Sequence, residues 1–228
     1  MILLITTCGP RPGDSLGKLR RQIDESWSGR RILVSDGPTT VAADGWTIAA
    51  TARREGQKPT YWRALAIGVE EARRTGDDRL LILEDDVELC ANALAYMERA
   101  RLPPGIEFVT WYDGHIVKPG AVAGIYPANA QYFICLQGVT WPLATAEKLL
   151  ASPIAAAWDE CHGGDILVAK ILRARPYGVH VPNLVQHLGA ESICSPGASL
   201  AGARTAANYP GSTFDASSLT RRDVSGRS

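Results

Sequence analysis

Residues 79–89 read RLLILEDDVEL, a short apolar run that stops abruptly at three acidic residues. The run at 80–83 shows no polar alternation, which is typical of a strand buried on both faces of a parallel sheet. Glu84, Asp85 and Asp86 follow it, and neighbouring carboxylates repel one another unless a cation lies between them. Ligands of open α/β sheets bind at the carboxyl ends of the strands, so the stretch predicts a metal site there.

All-oxygen ligands suit Mg²⁺ or Mn²⁺, which commonly bind through one or two carboxylates and substrate phosphates. The alternative interpretation is a solvated acidic loop, in which Asp86 caps a helix that begins near Ala91.

The composition is that of one globular domain: 228 residues, 46% hydrophobic and 21% charged. The formal net charge is zero, so no overall field attracts nucleic acid or an anionic membrane. The five cysteines are scattered and form no C-x-x-C pair, which favours reduced thiols over disulfides or a zinc site. No apolar run approaches the length of a membrane span, and residues 1–5 do not resemble a signal peptide. We therefore expect a cytoplasmic protein.

Strand and helix signals alternate in the first half of the chain, which predicts an α/β fold. Helices are expected from Asp14 or Ser15 to Gly29, and from Pro59 to Gly76. The strands of this half are predicted at residues 2–6, 31–34, 46–49 and 80–83.

The second half is less regular. Strands are predicted at 106–112, 132–136 and 177–181, and Thr145 is expected to cap a helix that runs to Leu150. Short helices are also expected around residues 93–97 and 166–172. The Gly- and Pro-rich loops around 114–127 are long enough to suggest a binding role.

Two residues near the first strands are candidate nucleotide ligands. Arg11 lies in a Gly- and Pro-rich loop at 7–13 and could clamp a phosphate, although the loop lacks the P-loop pattern. Asp36 ends the second strand, where it could accept hydrogen bonds from a ribose or a base. A solvent-exposed charge and a plain Asp-Gly turn are the respective alternatives.

A second acidic cluster, formed by Asp159, Glu160 and Asp165, precedes the apolar helix at 166–172. Asp165 is either a functional carboxylate or simply the N-cap of that helix. His187 stands in the sequence PNLVQHLG, and a lone histidine is more often a core or surface residue than a ligand.

Together these features resemble the GT-A glycosyltransferases over residues 1 to about 195. LEDDV at 83–87 looks like the E-D-D form of their D-x-D motif. GGDILVAKIL at 163–172 and PNLVQHLGAES at 182–192 are similar to sequences of the N-acetylglucosaminyltransferase IV group. LEDDV also resembles the bacterial galactosyltransferases of the LgtB type.

The resemblance implies a Rossmann-like fold in a single domain, with a central, mostly parallel sheet flanked by helices. The catalytic domain would span 1–195, with a nucleotide-binding half at 1–90 and an acceptor half at 91–195. Residues 196–228, poor in large apolar side chains, would form an irregular tail.

The resemblance also assigns roles to residues. Asp86 would bind Mn²⁺ or Mg²⁺, His187 would add a contact to the metal or diphosphate, and Asp165 would be the catalytic base. The nucleotide-sugar would be a UDP-sugar by this resemblance, and the residues that would contact it are Thr7, Arg11, Asp36, Glu84 and Asp85.

The predicted function is the metal-dependent transfer of a sugar to an acceptor hydroxyl with inversion at the anomeric carbon. The chain is much shorter than the animal enzymes of the group, so the acceptor stays open: a glycan, a small molecule or a hydroxylated DNA base. For DNA, a local basic edge would come from Arg204, Arg221 and Arg222.

Three other functions compete with this one. A sugar-nucleotide nucleotidyltransferase would use similar acids, but it would want a stronger Gly-rich basic loop after strand one. A glycoside hydrolase is disfavoured because the acids cluster at one strand end. A non-catalytic nucleotide-sugar or glycan-binding module is the third.

Overall fold

The computed structural model describes residues 1–9, 14–39, 44–113, 117, 120–159, 163–188, 206 and 208–219. The strands are β1 (Ile2–Thr7), β2 (Arg31–Ser35), β3 (Thr47–Ala50), β4 (Arg79–Glu84), β5 (Val87–Leu89), β6 (Val109–Thr110), β7 (Gly124–Asn129), β8 (Gly138–Pro142), β9 (Pro176–Val181) and β10 (Val185–His187). The helices are α1 (Ser15–Ser26), α2 (Gln57–Thr75), α3 (Ala93–Arg99), α4 (Leu143–Leu150), α5 (Pro153–Ala156) and α6 (Gly164–Leu172). No helix in these ranges has the length and apolar character that crossing a membrane requires.

One large mixed sheet organises the molecule, in the strand order β3-β2-β1-β4-β8-β6-β9-β7. The strands β3, β2, β1 and β4 are mutually parallel, as is the pair β6 and β9. The strand β8 runs antiparallel to both β4 and β6, and β7 runs antiparallel to β9. A separate antiparallel ribbon joins β5 to β10. The predicted mostly parallel α/β sheet flanked by helices is confirmed.

The acid-ended strand β4 is covered on both faces, as its apolar run predicted. Leu81 and Leu83 pack into one core cluster, whereas Leu80 and Ile82 pack into another on the opposite face. The first cluster includes apolar residues of α1 and α3, and the second includes residues of α2, α4 and α6.

Helix α2 lies close against the sheet. A Cβ added to Gly68 would lie 2.9 Å from Leu80 Cδ1 and 3.1 Å from Leu4 Cδ1, so glycine permits the close approach. The helix ends at Gly76, whose φ of 78° suits the left-handed C-terminal turn. The predicted end is therefore confirmed, and the helix begins two residues before the predicted Pro59.

The predicted strand at 132–136 is wrong. Residues Ala130–Tyr132 form a 3₁₀ turn, and Cys135 has a φ of 88°, which an extended strand does not tolerate. The N–H of Cys135 donates to the Asp165 carboxylate instead of to a neighbouring strand. The strand of this region, β8, begins only at Gly138.

Several smaller predictions also need correction. The strand predicted at 106–112 is reduced to Val109–Thr110. Thr145 lies inside α4 rather than at its N-cap, because the helix already begins after Pro142. Asp86 caps no helix, since β5 follows it and Asn92 precedes α3. Asp165 lies in the first turn of α6, whose N-cap position is Gly163.

The described part of the C-terminal region returns to the β5–β10 ribbon. Ala216 is fully buried, and its N–H donates to the Ala91 carbonyl at 2.9 Å. Tyr209 donates to Glu88 at 3.1 Å, and the N–H of Ala206 donates to Gln186 Oε1 at 2.8 Å. This region contains only a short 3₁₀ turn, Ala216–Ser218, yet it covers one side of the ribbon.

Candidate active site

The carboxyl ends of β1, β2 and β4 meet at one edge of the sheet. Thr7 at the end of β1 is in register with Ser35 on β2, and Thr6 with Glu84 on β4. The N–H of Asp36 donates to the Thr7 carbonyl at 2.8 Å. The structure therefore brings the predicted residues of all three strand ends together.

Glu84, the last residue of β4, is buried and held by two amide side chains. Gln57 Nε2 donates to Oε1 and Gln137 Nε2 donates to Oε2, each at 3.0 Å. Its N–H also donates to the Gln137 carbonyl at 3.1 Å. The carboxylate thus joins the start of α2 to the chain that enters β8.

Asp85 is completely buried beside the end of β1. Thr7 Oγ1 donates to its Oδ2 at 2.5 Å. These two predicted nucleotide-binding residues therefore contact one another, and their pair ties β1 to β4 at the edge of the sheet.

Asp86 and His187 form a buried pair, although 101 residues separate them in the chain. The side chains are 4% and 1% exposed, and His187 Nε2 lies 3.0 Å from Asp86 Oδ2. The ribbon creates the contact, because β10 places His187 opposite Val87 and the Leu188 N–H donates to the Asp86 carbonyl at 2.7 Å.

This pair fits a divalent ion by donor chemistry and by spacing. Two ligand atoms at right angles on an octahedral ion, with bonds of about 2.1 Å, lie about 3 Å apart. Nε2 and Oδ2 are hydrogen-bonded to each other at 3.0 Å, a distance that also equals this ligand spacing. The carboxylate suits Mn²⁺, and imidazole is a common ligand of divalent metals. Within the described ranges no three His, Cys, Asp or Glu side chains gather as a possible metal site.

Asp36 is occupied by the loop that precedes α2. Its Oδ1 accepts the Glu55 N–H at 2.6 Å and its Oδ2 accepts the Gly56 N–H at 3.0 Å. The carboxylate is buried, and it satisfies backbone donors at the N-terminal end of the helix. Sequence reasoning missed this structural role.

Asp165 lies half-buried near the same edge. Its Oδ2 accepts the Cys135 N–H at 3.0 Å and its Oδ1 accepts the Ile166 N–H at 2.9 Å. Gln137, whose side chain bonds Glu84, is two residues from Cys135. The Cα atoms of Cys135 and Gln137 are therefore at most about 7 Å apart. The chain at 135–137 therefore connects the acid triplet with Asp165.

Packing of α6 against α2 supports this placement. A Cβ added to Gly164 would lie 3.0 Å from Leu136 Cδ1 and 4.0 Å from Lys58 Cα, next to Gln57. Asp159, a rival for the role of base, is exposed. Arg11 and Glu160 lie outside the described residues, as do Arg204, Arg221 and Arg222.

Tyr61 lies beneath this site without contributing a titratable group near neutral pH. Burial raises the pKa of Tyr61 well above its usual value, and the Glu84 charge adds to the rise. Its hydroxyl accepts a hydrogen bond from Trp141 Nε1 at 2.8 Å, so the pair is part of the core.

Sequence reasoning did not single out Gln57 or Gln137. Both are amides that bond an acid far away in the chain, 27 and 53 residues from Glu84. Their position beside a helix start and a strand start was the available signal, and it is common to many structural glutamines.

Comparison by sequence finds no protein-family model and no curated protein that matches the chain. Comparison by structure finds a glycosyltransferase involved in the glycosylation of the major capsid of PBCV-1, with a TM-score of 0.52 and 14% identity over 84% of this chain and 94% of that one. The galactosyltransferase LgtC, solved with donor and acceptor sugar analogs, has a TM-score of 0.51 and 10% identity over 92% of this chain and 97% of that one. These likenesses show the GT-A fold, as predicted. The narrower resemblance to the N-acetylglucosaminyltransferase IV group or the LgtB type stays a prediction.

Proposed function

We propose that the chain is a metal-dependent glycosyltransferase that moves a sugar from a UDP-sugar to an acceptor hydroxyl, with inversion. The observation that carries the proposal is the buried Asp86–His187 pair, 3.0 Å apart at the carboxyl end of the central strand of a GT-A fold. Open α/β sheets bind their ligands at this edge.

Asp86 would hold Mn²⁺ or Mg²⁺ through its carboxylate, and His187 would add a contact to the metal or to the diphosphate. When bound, the ion supplies positive charge that stabilises the diphosphate as it leaves. The carboxylates of Glu84 and Asp85 are already hydrogen-bonded within the protein, so they would support the site through those bonds. Thr7 and Asp36 would form part of the surface that faces the nucleotide.

Asp165 is the proposed base. The acceptor oxygen attacks C1 of the sugar, the bond from C1 to the diphosphate oxygen breaks, and the hydroxyl proton moves to the Asp165 carboxylate. The N–H groups of Cys135 and Ile166 orient that carboxylate, because each fixes one of its oxygens. Attack opposite the leaving group inverts the anomeric carbon.

The acceptor side carries exposed apolar side chains. Tyr132, Ile134 and Ile166 are exposed, the last beside Asp165 in the chain. Aromatic and aliphatic surface suits the apolar face of a sugar ring or a small molecule. The formal net charge of zero provides no overall attraction for nucleic acid, so we place a glycan or small-molecule acceptor ahead of a hydroxylated DNA base.

The test measures UDP release and product anomer for a panel of UDP-sugars and acceptors. Asp165→Asn should lower turnover by about 100-fold or more while UDP affinity stays near the wild-type value. Asp159→Asn, a substitution of the same type at an exposed position, should change turnover by less than about twofold.

Three results would contradict parts of this proposal. A product with retained anomeric configuration would rule out Asp165 as the base. Equal effects of Asp165→Asn and Asp159→Asn on turnover would rule it out as well. If the wild-type protein binds UDP-sugars but transfers the sugar neither to an acceptor nor to water, the chain is a binding module and not a transferase.

A further inference from the structure

Gln137 stands immediately before β8 with a buried side chain, 7% exposed. Its Nε2 donates to Glu84 Oε2 at 3.0 Å. An ionised carboxylate only accepts hydrogen bonds, so this contact fixes which end of the amide faces Glu84. The carbonyl oxygen Oε1 must therefore point away from Glu84.

That oxygen is buried and has no hydrogen-bond partner among the described residues. Buried polar atoms in native proteins are nearly always bonded, so an unmet acceptor in a candidate site points to a donor that arrives with a ligand. Two bonds to Glu84 anchor the residue: Nε2 donates to Glu84 Oε2, and the Gln137 backbone carbonyl accepts the Glu84 N–H.

The position of Gln137 identifies the part of the substrate that would supply this donor. Its side chain contacts Glu84, which is two residues from Asp86, the proposed metal ligand. Two residues away on the other side, Cys135 bonds Asp165, the proposed base. The transferred sugar must lie between the leaving diphosphate and the base.

We propose that Gln137 Oε1 accepts a hydrogen bond from a hydroxyl or N-acetyl N–H group of the transferred sugar and so determines which donor sugar is used. This inference rests on the proposed function and deepens it. A site that bonds a hydroxyl rejects analogues lacking it more strongly than an apolar site does, because its own polar group is then left unpaired.

Gln57 offers a matched control. Its Nε2 donates to the other oxygen of Glu84 at the same distance, 3.0 Å. Unlike Gln137 Oε1, the carbonyl oxygen of Gln57 does not belong to the buried side-chain atoms that lack a hydrogen-bond partner. Gln57→Met and Gln137→Met each remove one amide bond to Glu84. Only Gln137→Met also removes the buried carbonyl oxygen.

The experiment titrates UDP and UDP-linked glucose, galactose, N-acetylglucosamine and N-acetylgalactosamine into wild type and both variants with Mn²⁺. For the preferred donor, Gln137→Met should lower the affinity ratio of UDP-sugar to UDP about tenfold. Gln57→Met should keep that ratio within about twofold of wild type. Equal changes in the two variants would overturn the role of Oε1, because the effect would then come from Glu84.

A second measurement needs no variant. Deoxy or deacetylated analogues of the preferred donor, titrated into wild type, should include one that binds about tenfold more weakly. Uniform affinity across the analogues would overturn the inference. Wild-type protein that binds neither UDP nor any UDP-sugar would instead overturn the proposed function.

Discussion

The role of Asp36 gives a prediction whose size follows from the structure. Asp36→Asn replaces one carboxylate oxygen by an NH₂ group, so one of the N–H groups of Glu55 and Gly56 loses its acceptor and faces a donor. Leaving such a donor unsatisfied costs about 1–3 kcal/mol. Losing negative charge near a helix N-terminus costs about 0.3–1 kcal/mol more. Since the loop is only partly buried, we expect the free energy of unfolding to fall by about 2 kcal/mol.

The assay is urea and thermal unfolding followed by the fluorescence of the six tryptophans. For a chain of this size, 2 kcal/mol corresponds to a melting temperature lowered by about 4–8 °C. Asp44→Asn, at an exposed position in the same half, is the control and should stay within about 0.5 kcal/mol of wild type. If Asp36→Asn also stays within that range, its two backbone contacts do not hold the loop, and the structural role assigned to Asp36 is wrong.

Three further predictions concern the packing of α2 and the buried thiol of Cys90. Gly68→Ala should destabilise the protein by about 1–3 kcal/mol in urea unfolding, because the added Cβ would meet Leu80 Cδ1 at 2.9 Å. This cost should exceed the gain from the better helix propensity of alanine. A stabilised variant would contradict the close packing of α2 against the sheet. Burial raises the pKa of Cys90 to about 12, so iodoacetamide at pH 8 should label Cys90 far more slowly than the half-buried Cys8 and Cys135, as peptide mass spectrometry would show. Below pH 8 the Cys90 thiol is neutral in both states; as the pH rises past about 9 it ionises only in the unfolded chain, so the free energy of unfolding should fall. In Cys90→Ala, the part of the fall in the free energy of unfolding above about pH 9 that comes from Cys90 should be absent. A slope of that free energy against pH that equals the wild-type slope would contradict the raised pKa of Cys90.

The sequence predicted the elements whose signals are local. The uninterrupted apolar run of β4 and the helical spacing along α2 reflect burial against the sheet, and both elements are present. The apolar composition of 132–136 predicts a strand, but the 3₁₀ turn at Ala130–Tyr132 and the positive φ of Cys135 interrupt the extended backbone, and neither is encoded by apolar composition.

The candidate site was predictable only where an acid or a histidine carries its own signal. Asp86 and His187 could be named separately, but their contact depends on the ribbon that joins β5 to β10. The bonds from Asp36 to the loop before α2 and from Gln137 to Glu84 depend on distant backbone geometry, which no local pattern encodes.

The central claim, a metal and diphosphate site on Asp86, is tested most directly by calorimetric titration of UDP with Mn²⁺ or with EDTA. Wild type should bind UDP only with Mn²⁺, and Asp86→Asn should weaken that binding about tenfold or more. Asp159→Asn should bind as wild type does, and unchanged thermal unfolding of Asp86→Asn would show that its fold is intact. Binding of UDP that is indifferent to EDTA and to Asp86→Asn would mean that the acid triplet is a structural feature of the strand end.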